Sequence, residues 1–363
     1  MIAVRNYAVA PGEYLAEWIE ENPRVTQAQL AERVGVSRKL INEILNAKAP
    51  ISPAVAMRLE RVTSIPAKAW LLYQAQYDAD CARFADADHL AQYAYLISDN
   101  LGAYLRDVGA TTATKRNPGQ LVADFLSLVN CGTIEAFERR CEVEIVSGYA
   151  FATLKESSKK EIDPAMLLAW IAQAEKTDGA GRRFEADYSG ARILDVVPLV
   201  RERALKPDKT MLADIQALLA EAGVTMLHCI PPKGFPLHGV TYWVGNAPVV
   251  VFTERRKTDG FITWAIFHEL GHVLYDERSI DAYGLTKTKR QQQTEEKAAN
   301  DFAKNALFGG TGLSPFHGLT RSTDIKRVAK EVGVSPGVAV AAMHKHRMLP
   351  YSYGNDLLVD VTA

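Results

Sequence analysis

The sequence predicts a mostly α-helical fold with a small β-sheet, that is, an α+β protein. Three observations support this prediction. Capping residues and apolar stripes at helical spacing recur through residues 1–80, weaker helical patterns fill residues 81–217, and short strand-like segments appear from residue 218 onwards. These changes in pattern predict three domains with the bounds 1–80, 81–217 and 218–363. A chain of 363 residues is long enough for each domain to bury a core.

The composition is that of an ordinary globular protein, with 48% hydrophobic and 23% charged residues. The net charge of −1 gives no overall attraction to nucleic acid, so DNA binding requires a local patch. The four cysteines form no Cys-x-x-Cys pair, which argues against a disulfide framework and a cysteine-ligated metal. The sequence has neither a signal-peptide core nor an apolar run of about 18 residues. We therefore expect a cytoplasmic protein without a membrane partner.

The first eighty residues predict short helices joined by tight turns. Thr26 and Gln29 form a capping box at the start of the second helix, and Gly35 permits the sharp turn that ends it. Ser37 is a suitable N-cap for the third helix. The other helices are expected to begin near prolines, which suit the first turn of a helix: Pro11, Pro53 and Pro66, the last helix running to about Asp80.

The second and third helices have the arrangement of a helix–turn–helix motif. They cover Thr26–Val34 and Ser37–Asn46, with Gly35 and Val36 between them. A recognition helix buries one side and presents hydrogen-bonding side chains on the other. We expect a homodimer on double-stranded DNA, because one short helix reads few bases. The alternative is a helical bundle used only for dimerisation. The expected DNA contacts are Gln27, Ser37, Arg38, Lys39 and Asn42.

From Leu218 the pattern changes to short strands followed by helices. No internal repeat is expected. The predicted strands are Val224–Cys229, Gly239–Val244 and Val249–Thr253, and the predicted helices are Thr263–Tyr275, Glu295–Leu307, Asp324–Val332 and Ser335–His346, with a polar connection at Lys287–Thr294.

Residues 268–272 read His-Glu-Leu-Gly-His, a pattern typical of zinc peptidases. Positions i and i+4 share one face of a helix, so His268 and His272 can bind the same zinc ion. Glu269 then lies beside the water that zinc activates, and we expect it to act as the general base. The strand Gly239–Val244 offers an edge along which an extended peptide can lie.

A catalytic zinc usually has three protein ligands. Glu296 is the expected third ligand, and Asn300, one turn later, is expected to orient a ligand histidine. Several other acidic residues remain possible as the third ligand: Glu295, Asp276, Glu277 and Asp281.

Taken together, these segments resemble a known fused architecture. Pro11–Leu15 and Leu30–Ser37 resemble the Xre-type helix–turn–helix of HigA-like antitoxins. The segments that look like an ImmA/IrrE metallopeptidase domain, or like the tail of the same fused family, are Leu218–Val224, His268–His272, Glu296–Ala303 and Ser335–Tyr351.

The resemblance implies a zincin-like metallopeptidase domain in the C-terminal part of the chain. It also implies a transcriptional regulator or antitoxin that binds its own promoter, with a cognate toxin or a cleaved repressor as partner. The alternative is a non-proteolytic antitoxin or repressor whose zinc site is structural or sensory. Glu269 favours the peptidase, because a structural zinc site needs no general base.

Overall fold

The computed structural model describes residues 7–141, 163–177, 187–235, 237, 239–253, 257–275 and 289–362. Over these residues the protein is mostly helical with a small sheet, as the sequence predicts. The chain divides into two compact units, Met1–Ala94 with Lys115–Ala123, and Tyr95–Thr114 with Asp124–Ala363. The division into three domains at residues 80 and 217 stays a prediction. No helix in the described ranges is both long enough and apolar enough to cross a membrane.

The helices of the first unit begin where the capping signals predict. The backbone N–H of Thr26 donates to Gln29 Oε1 at 3.0 Å, and the N–H of Gln29 donates back to Thr26 Oγ1 at 3.3 Å. The last helix continues to Leu90, well past its predicted end near Asp80, because no glycine or proline interrupts it. The helices are α1 (Pro11–Glu21), α2 (Gln27–Val34), α3 (Arg38–Leu45), α4 (Pro53–Thr63) and α5 (Ala67–Leu90).

The described part of residues 81–217 is helical, as expected. Trp170 is fully buried and donates its indole N–H to the carbonyl oxygen of Cys229 at 3.2 Å, so its helix lies against the end of the first strand. The helices are α6 (Asp99–Asp107), α7 (Pro118–Leu128), α8 (Ile134–Arg140), α9 (Pro164–Thr177), α10 (Gly190–Ala204) and α11 (Met211–Glu221).

The sheet consists of β1 (Thr225–Cys229), β2 (Gly239–Val244) and β3 (Ala247–Thr253) in the order β1-β3-β2. The central strand β3 is buried throughout, runs parallel to β1 and antiparallel to β2. Among the described residues β2 is therefore an edge strand. Because side chains alternate across a sheet, Gly239 and Thr241 share one face of β2.

One long helix covers this sheet, and a second long helix packs against the first. Helix α12 (Asp259–Tyr275) packs against β2, β3 and the next helix, α13 (Lys289–Phe308). Helix α13 begins within the predicted polar connection, because the run from Lys289 to Gln293 consists of good helix formers. The chain then forms α14 (Ser322–Val332) and α15 (Pro336–Lys345), and α15 also packs on α12.

The pair α14–α15 repeats the turn and the helix cap of the pair α2–α3, so the expectation of no internal repeat is wrong. Both pairs are joined by the sequence Val-Gly-Val-Ser, at residues 34–37 and 332–335. Gly35 and Gly333 are both left-handed, with φ of 69° and 77°. Ser37 and Ser335 both cap the second helix by accepting a backbone N–H three residues later. The repeat is short in sequence because the remaining residues of the helices differ.

The two copies differ in what their second helix contacts. Arg38, Lys39 and Asn42 of α3 are exposed. In contrast, residues 337–344 of α15 are all buried. Only the first copy thus presents a second helix that is free to enter a DNA groove.

Candidate metal centre and nucleic-acid interface

Helix α12 places the His-Glu-Leu-Gly-His segment in the interior. His268, Glu269 and His272 have exposed fractions of 0%, 1% and 2%. Polar groups are costly to bury unless they bind one another or a ligand. A buried run with two histidines and a carboxylate therefore needs a compensating partner, and a metal ion is one such partner.

Helix α13 brings a third donor to the two histidines. A Cβ atom at Gly271 would lie 2.6 Å from the Cα of Ala299, so only glycine allows the two helices to approach this closely. Glu296 lies about one turn before Ala299 on the same helix. Its Oε2 is 3.6 Å from His268 Nε2, and its Oε1 is 3.6 Å from His272 Nε2.

The spacing of these donors fits a zinc ion. The two Nε2 atoms are 3.2 Å apart, and the donor atoms of all three residues lie within 4.8 Å of one another. With ligand bonds of about 2.0–2.1 Å, neighbouring donors of a tetrahedral zinc ion are about 3.3 Å apart. Two imidazoles and one carboxylate are also a donor set that catalytic zinc sites use.

The other candidate ligands have no such geometric support. Among the described residues, the cluster of possible metal donors contains Glu296 and does not contain Glu295. Asp276, Glu277 and Asp281 lie outside the described residues. The choice of Glu296 thus has geometric support and remains a prediction until a metal is measured.

The hydrogen-bond partners of Asn300 are Glu296 and Lys345, whereas the sequence predicts a ligand histidine as its partner. Its Nδ2 donates to the backbone oxygen of Glu296 at 2.8 Å, and its Oδ1 accepts from Lys345 Nζ at 2.8 Å. A short amide side chain on a helix readily reaches the carbonyl four residues earlier, which explains the first contact. Asn300 therefore acts on Glu296 and its helix.

The edge strand β2 holds the candidate base. Thr241 Oγ1 donates to Glu269 Oε2 at 2.7 Å, and both residues are buried. On the same face of β2, a Cβ atom at Gly239 would lie 2.6 Å from Glu269 Oε1, so glycine leaves room for this carboxylate. We did not predict the role of Thr241. The signal available was its place two residues after Gly239, on a strand expected to border the site.

The five expected DNA contacts are all exposed. Ser37 also accepts the N–H of Leu40 at 3.1 Å, so its hydroxyl caps α3. Lys39 Nζ lies 3.7 Å from Glu43, a weak exposed pair that leaves the ammonium accessible. The surface that these residues form therefore stays available to a groove or a phosphate.

Comparison with known proteins gives a family match for each of two parts of the chain. Residues 23–69 match a family model described as helix-turn-helix, and residues 225–344 match one described as an IrrE N-terminal-like domain. Searches of curated proteins and of solved structures gave no match. The first match supports DNA binding, and the second covers the strands and all three candidate metal donors. The chain is therefore a fusion of an Xre-type helix–turn–helix domain with a metallopeptidase-like domain of the IrrE/ImmA type.

Proposed function

We propose that this chain is a DNA-binding transcriptional regulator whose C-terminal part is a zinc-dependent endopeptidase. The observation that carries the proposal is the placement of Glu269. Its carboxylate is buried, belongs to the same helix turn as two candidate ligands, and is anchored by Thr241. A structural or sensory zinc site has no use for a carboxylate held in this way.

In this proposal His268, His272 and Glu296 hold the zinc ion. Bound zinc supplies a Lewis acid that polarises a peptide carbonyl and makes water more acidic. The carboxylate of Glu269, which Thr241 holds through Oε2, takes the proton of the attacking water. The water oxygen bonds to the carbonyl carbon, the C–N bond breaks, and Glu269 returns the proton to the leaving amine.

An extended peptide is the substrate that suits the sheet. Strand β2 pairs with β3 on one side, and its other edge is unpaired among the described residues. Backbone pairing along that edge would carry the scissile bond past Gly239 towards Glu269. The fused-family resemblance suggests a cognate toxin or a repressor as the source of this peptide.

On the DNA side, α3 enters the major groove and Arg38, Lys39 and Asn42 contact bases or phosphates. A homodimer bound to a palindrome in its own promoter supplies the selectivity that one short helix lacks. An antitoxin role is consistent with this arrangement, since such proteins repress their own genes.

The test is a comparison of wild type with Glu269→Gln. Both proteins should hold about one zinc per chain, measured by metal analysis, because the variant keeps all three ligands. Wild type should cleave members of a peptide library, detected by mass spectrometry, and the variant should cleave none. A wild type that holds zinc but cleaves nothing, including any neighbouring toxin, would favour the non-proteolytic regulator with a structural or sensory zinc.

A further inference from the structure

Lys345, the last residue of α15, contacts both helices that carry the candidate metal donors. Its Nζ donates to Asn300 Oδ1 on α13 at 2.8 Å. The same Nζ lies 4.6 Å from the ring centroid of Trp264 on α12. One ammonium group therefore joins α12 to α13 from a third helix.

On α13, a second hydrogen bond connects this contact to the candidate ligand Glu296. Asn300 accepts from Lys345 with Oδ1 and donates with Nδ2 to the backbone oxygen of Glu296. The amide plane is rigid, so fixing Oδ1 also fixes the direction of Nδ2. The backbone of Glu296, and with it the origin of its carboxylate, is held by this two-step connection.

On α12, the contact is made one turn before the first histidine. Trp264 is 5% exposed and stands four residues before His268, on the same face of the helix. A cation over an indole ring is a favourable contact, and more so where water is largely excluded. The ring thus ties Lys345 to the histidine helix.

The backbone at Lys345 is itself fixed, because α15 packs closely on α12. A Cβ atom at Gly260 would lie 2.1 Å from the backbone oxygen of Gly337, so the two helices meet at glycines. The buried carboxylate of Asp259 accepts from Ser335 at 2.7 Å at the same end. A lysine on a mobile helix could not fix the distance between α12 and α13, whereas α15 is packed too closely on α12 to shift far.

We propose that Lys345 is a positioning residue that presets the distance between Glu296 and the histidine pair before metal binds. This inference rests on the proposed zinc site and extends it to a residue that lies outside the metal-binding segments. Residues that orient metal ligands through hydrogen bonds typically change metal affinity by about 10–100-fold. A lysine suits this place because it supplies both a hydrogen-bond donor and a cation.

The experiment measures zinc affinity of the full chain by competition with a chelator of known affinity. Lys345→Met keeps most of the side-chain length and removes the charge and the donor, so affinity should fall about 10–100-fold. Lys345→Arg keeps a positive charge that can lie over the Trp264 ring and a hydrogen-bond donor, so affinity should fall less than in Lys345→Met. The control Lys330→Met changes an exposed lysine on α14 and should leave affinity unchanged.

Three further measurements separate positioning from general stabilisation. The absorption spectrum of the cobalt-substituted protein should change in Lys345→Met and not in Lys330→Met. The unfolding midpoint of the metal-free protein should be alike in both. Asn300→Ala combined with Lys345→Met should be no worse than the stronger single change, because both act through one connection.

Wild-type zinc affinity and spectrum in Lys345→Met would overturn the proposal while leaving the peptidase intact. Additive losses in the double variant would also overturn it. A wild type that binds no zinc would overturn the zinc site and this inference together.

Discussion

The hydroxyl of Thr241 lies 2.7 Å from Glu269 Oε2, and this hydrogen bond joins the edge strand β2 to the helix α12. The hydroxyl donates, because a carboxylate only accepts. The bond restricts the side-chain torsions of Glu269. Thr241 is therefore expected to matter for the rate of hydrolysis and much less for metal binding.

Thr241→Val keeps the shape of the side chain and removes the donor. We expect hydrolysis to slow by about 10–100-fold, the range typical for loss of a hydrogen bond that orients a group at a metal site. Zinc content should be unchanged, since no metal ligand is altered. The matched control is Thr253→Val on β3, where the buried hydroxyl has no hydrogen-bond partner among the described residues. Equal rates for wild type and Thr241→Val would show that Glu269 needs no anchor.

Gly271→Ala tests the close approach of α12 and α13. The added methyl group would meet backbone atoms of Ala299, so the helices must move apart. Overpacking of this kind costs about 1–3 kcal/mol of folding free energy. Separation also moves Glu296 from the histidines, so zinc affinity should fall together with stability.

The control for that variant is Gly310→Ala, where an added methyl group meets no atom within 4 Å. Zinc titration and chemical unfolding of both proteins provide the comparison. If Gly271→Ala binds zinc as wild type does, the helix spacing does not determine the site.

The sequence predicts the parts of the metal site that follow from local spacing. His268 and His272 are four residues apart on a helix, so their shared face can be expected without a structure. Glu296 was one of several acidic candidates, because its distance from the histidines depends on how α12 and α13 pack. Thr241 and Lys345 come from other elements altogether, and nothing in their local sequence indicates the contact.

Helix starts are likewise easier to predict than helix ends. Thr26 and Ser37 cap their helices through bonds made within three residues, and the structure contains both bonds. The end of α5 and the start of α13 carry no such local signal, and the structure places each at a different residue from the one that the sequence predicts. The repeat in α14–α15 is hard to see in the sequence because little besides its Val-Gly-Val-Ser turn is shared.

Because α3 is exposed and most of α15 is buried, we predict that α3 alone binds DNA. Asn42→Ala should weaken binding to the natural operator by about 5–100-fold and relax its base preference, as loss of a base contact does. Gel-shift titration against the upstream region of the gene is the measurement. Lys326→Ala, an exposed change on α14, serves as the control and should bind as wild type does. If Lys326→Ala weakens DNA binding more than Asn42→Ala does, DNA binding belongs to the pair α14–α15 and the assignment to α3 is wrong.

Ala47 is a candidate for stabilisation, because its φ of 54° lies in the left-handed region. A side chain there is strained by about 1–2 kcal/mol, and glycine removes the strain at the cost of a more flexible unfolded chain. We expect Ala47→Gly to raise the local stability of the first unit by about 0.5–1 kcal/mol.

Hydrogen exchange of the amides of α2 and α3 measures this gain. Ala28→Gly, at an exposed position in the first turn of α2, is the matched control and should lose at most about 1 kcal/mol. Faster exchange in Ala47→Gly than in wild type would contradict the assignment of strain.

Asp259 should make the stability of the second unit depend on pH. Its carboxylate is fully buried, and burial raises its pKa above the ordinary value of 3.8. Hydrogen bonds from the N–H of Val359 and the hydroxyl of Ser335 oppose the rise without cancelling it. Above pH 3.8 the folded protein therefore binds this proton more tightly than the unfolded chain does.

The sign follows from that difference. The contribution of Asp259 is fully present below pH 3.8 and is lost as the pH rises through the folded pKa. In Asp259→Asn the residue cannot ionise, so the free energy of unfolding of the wild type should fall relative to the variant across this interval. The measurement is urea unfolding of both proteins at a series of pH values.

Asp208→Asn is the control with the opposite sign. Hydrogen bonds from Arg203, then from Thr210, hold the pKa of this exposed carboxyl below 3.8. Its contribution is therefore present above pH 3.8 and is lost as the pH falls, so the wild type should gain on this variant as the pH rises. If the two variants differ from wild type with the same slope against pH, the shift at Asp259 does not come from its burial. A flat difference for Asp259→Asn would instead mean that the hydrogen bonds from Val359 and Ser335 fully offset the desolvation of the carboxylate.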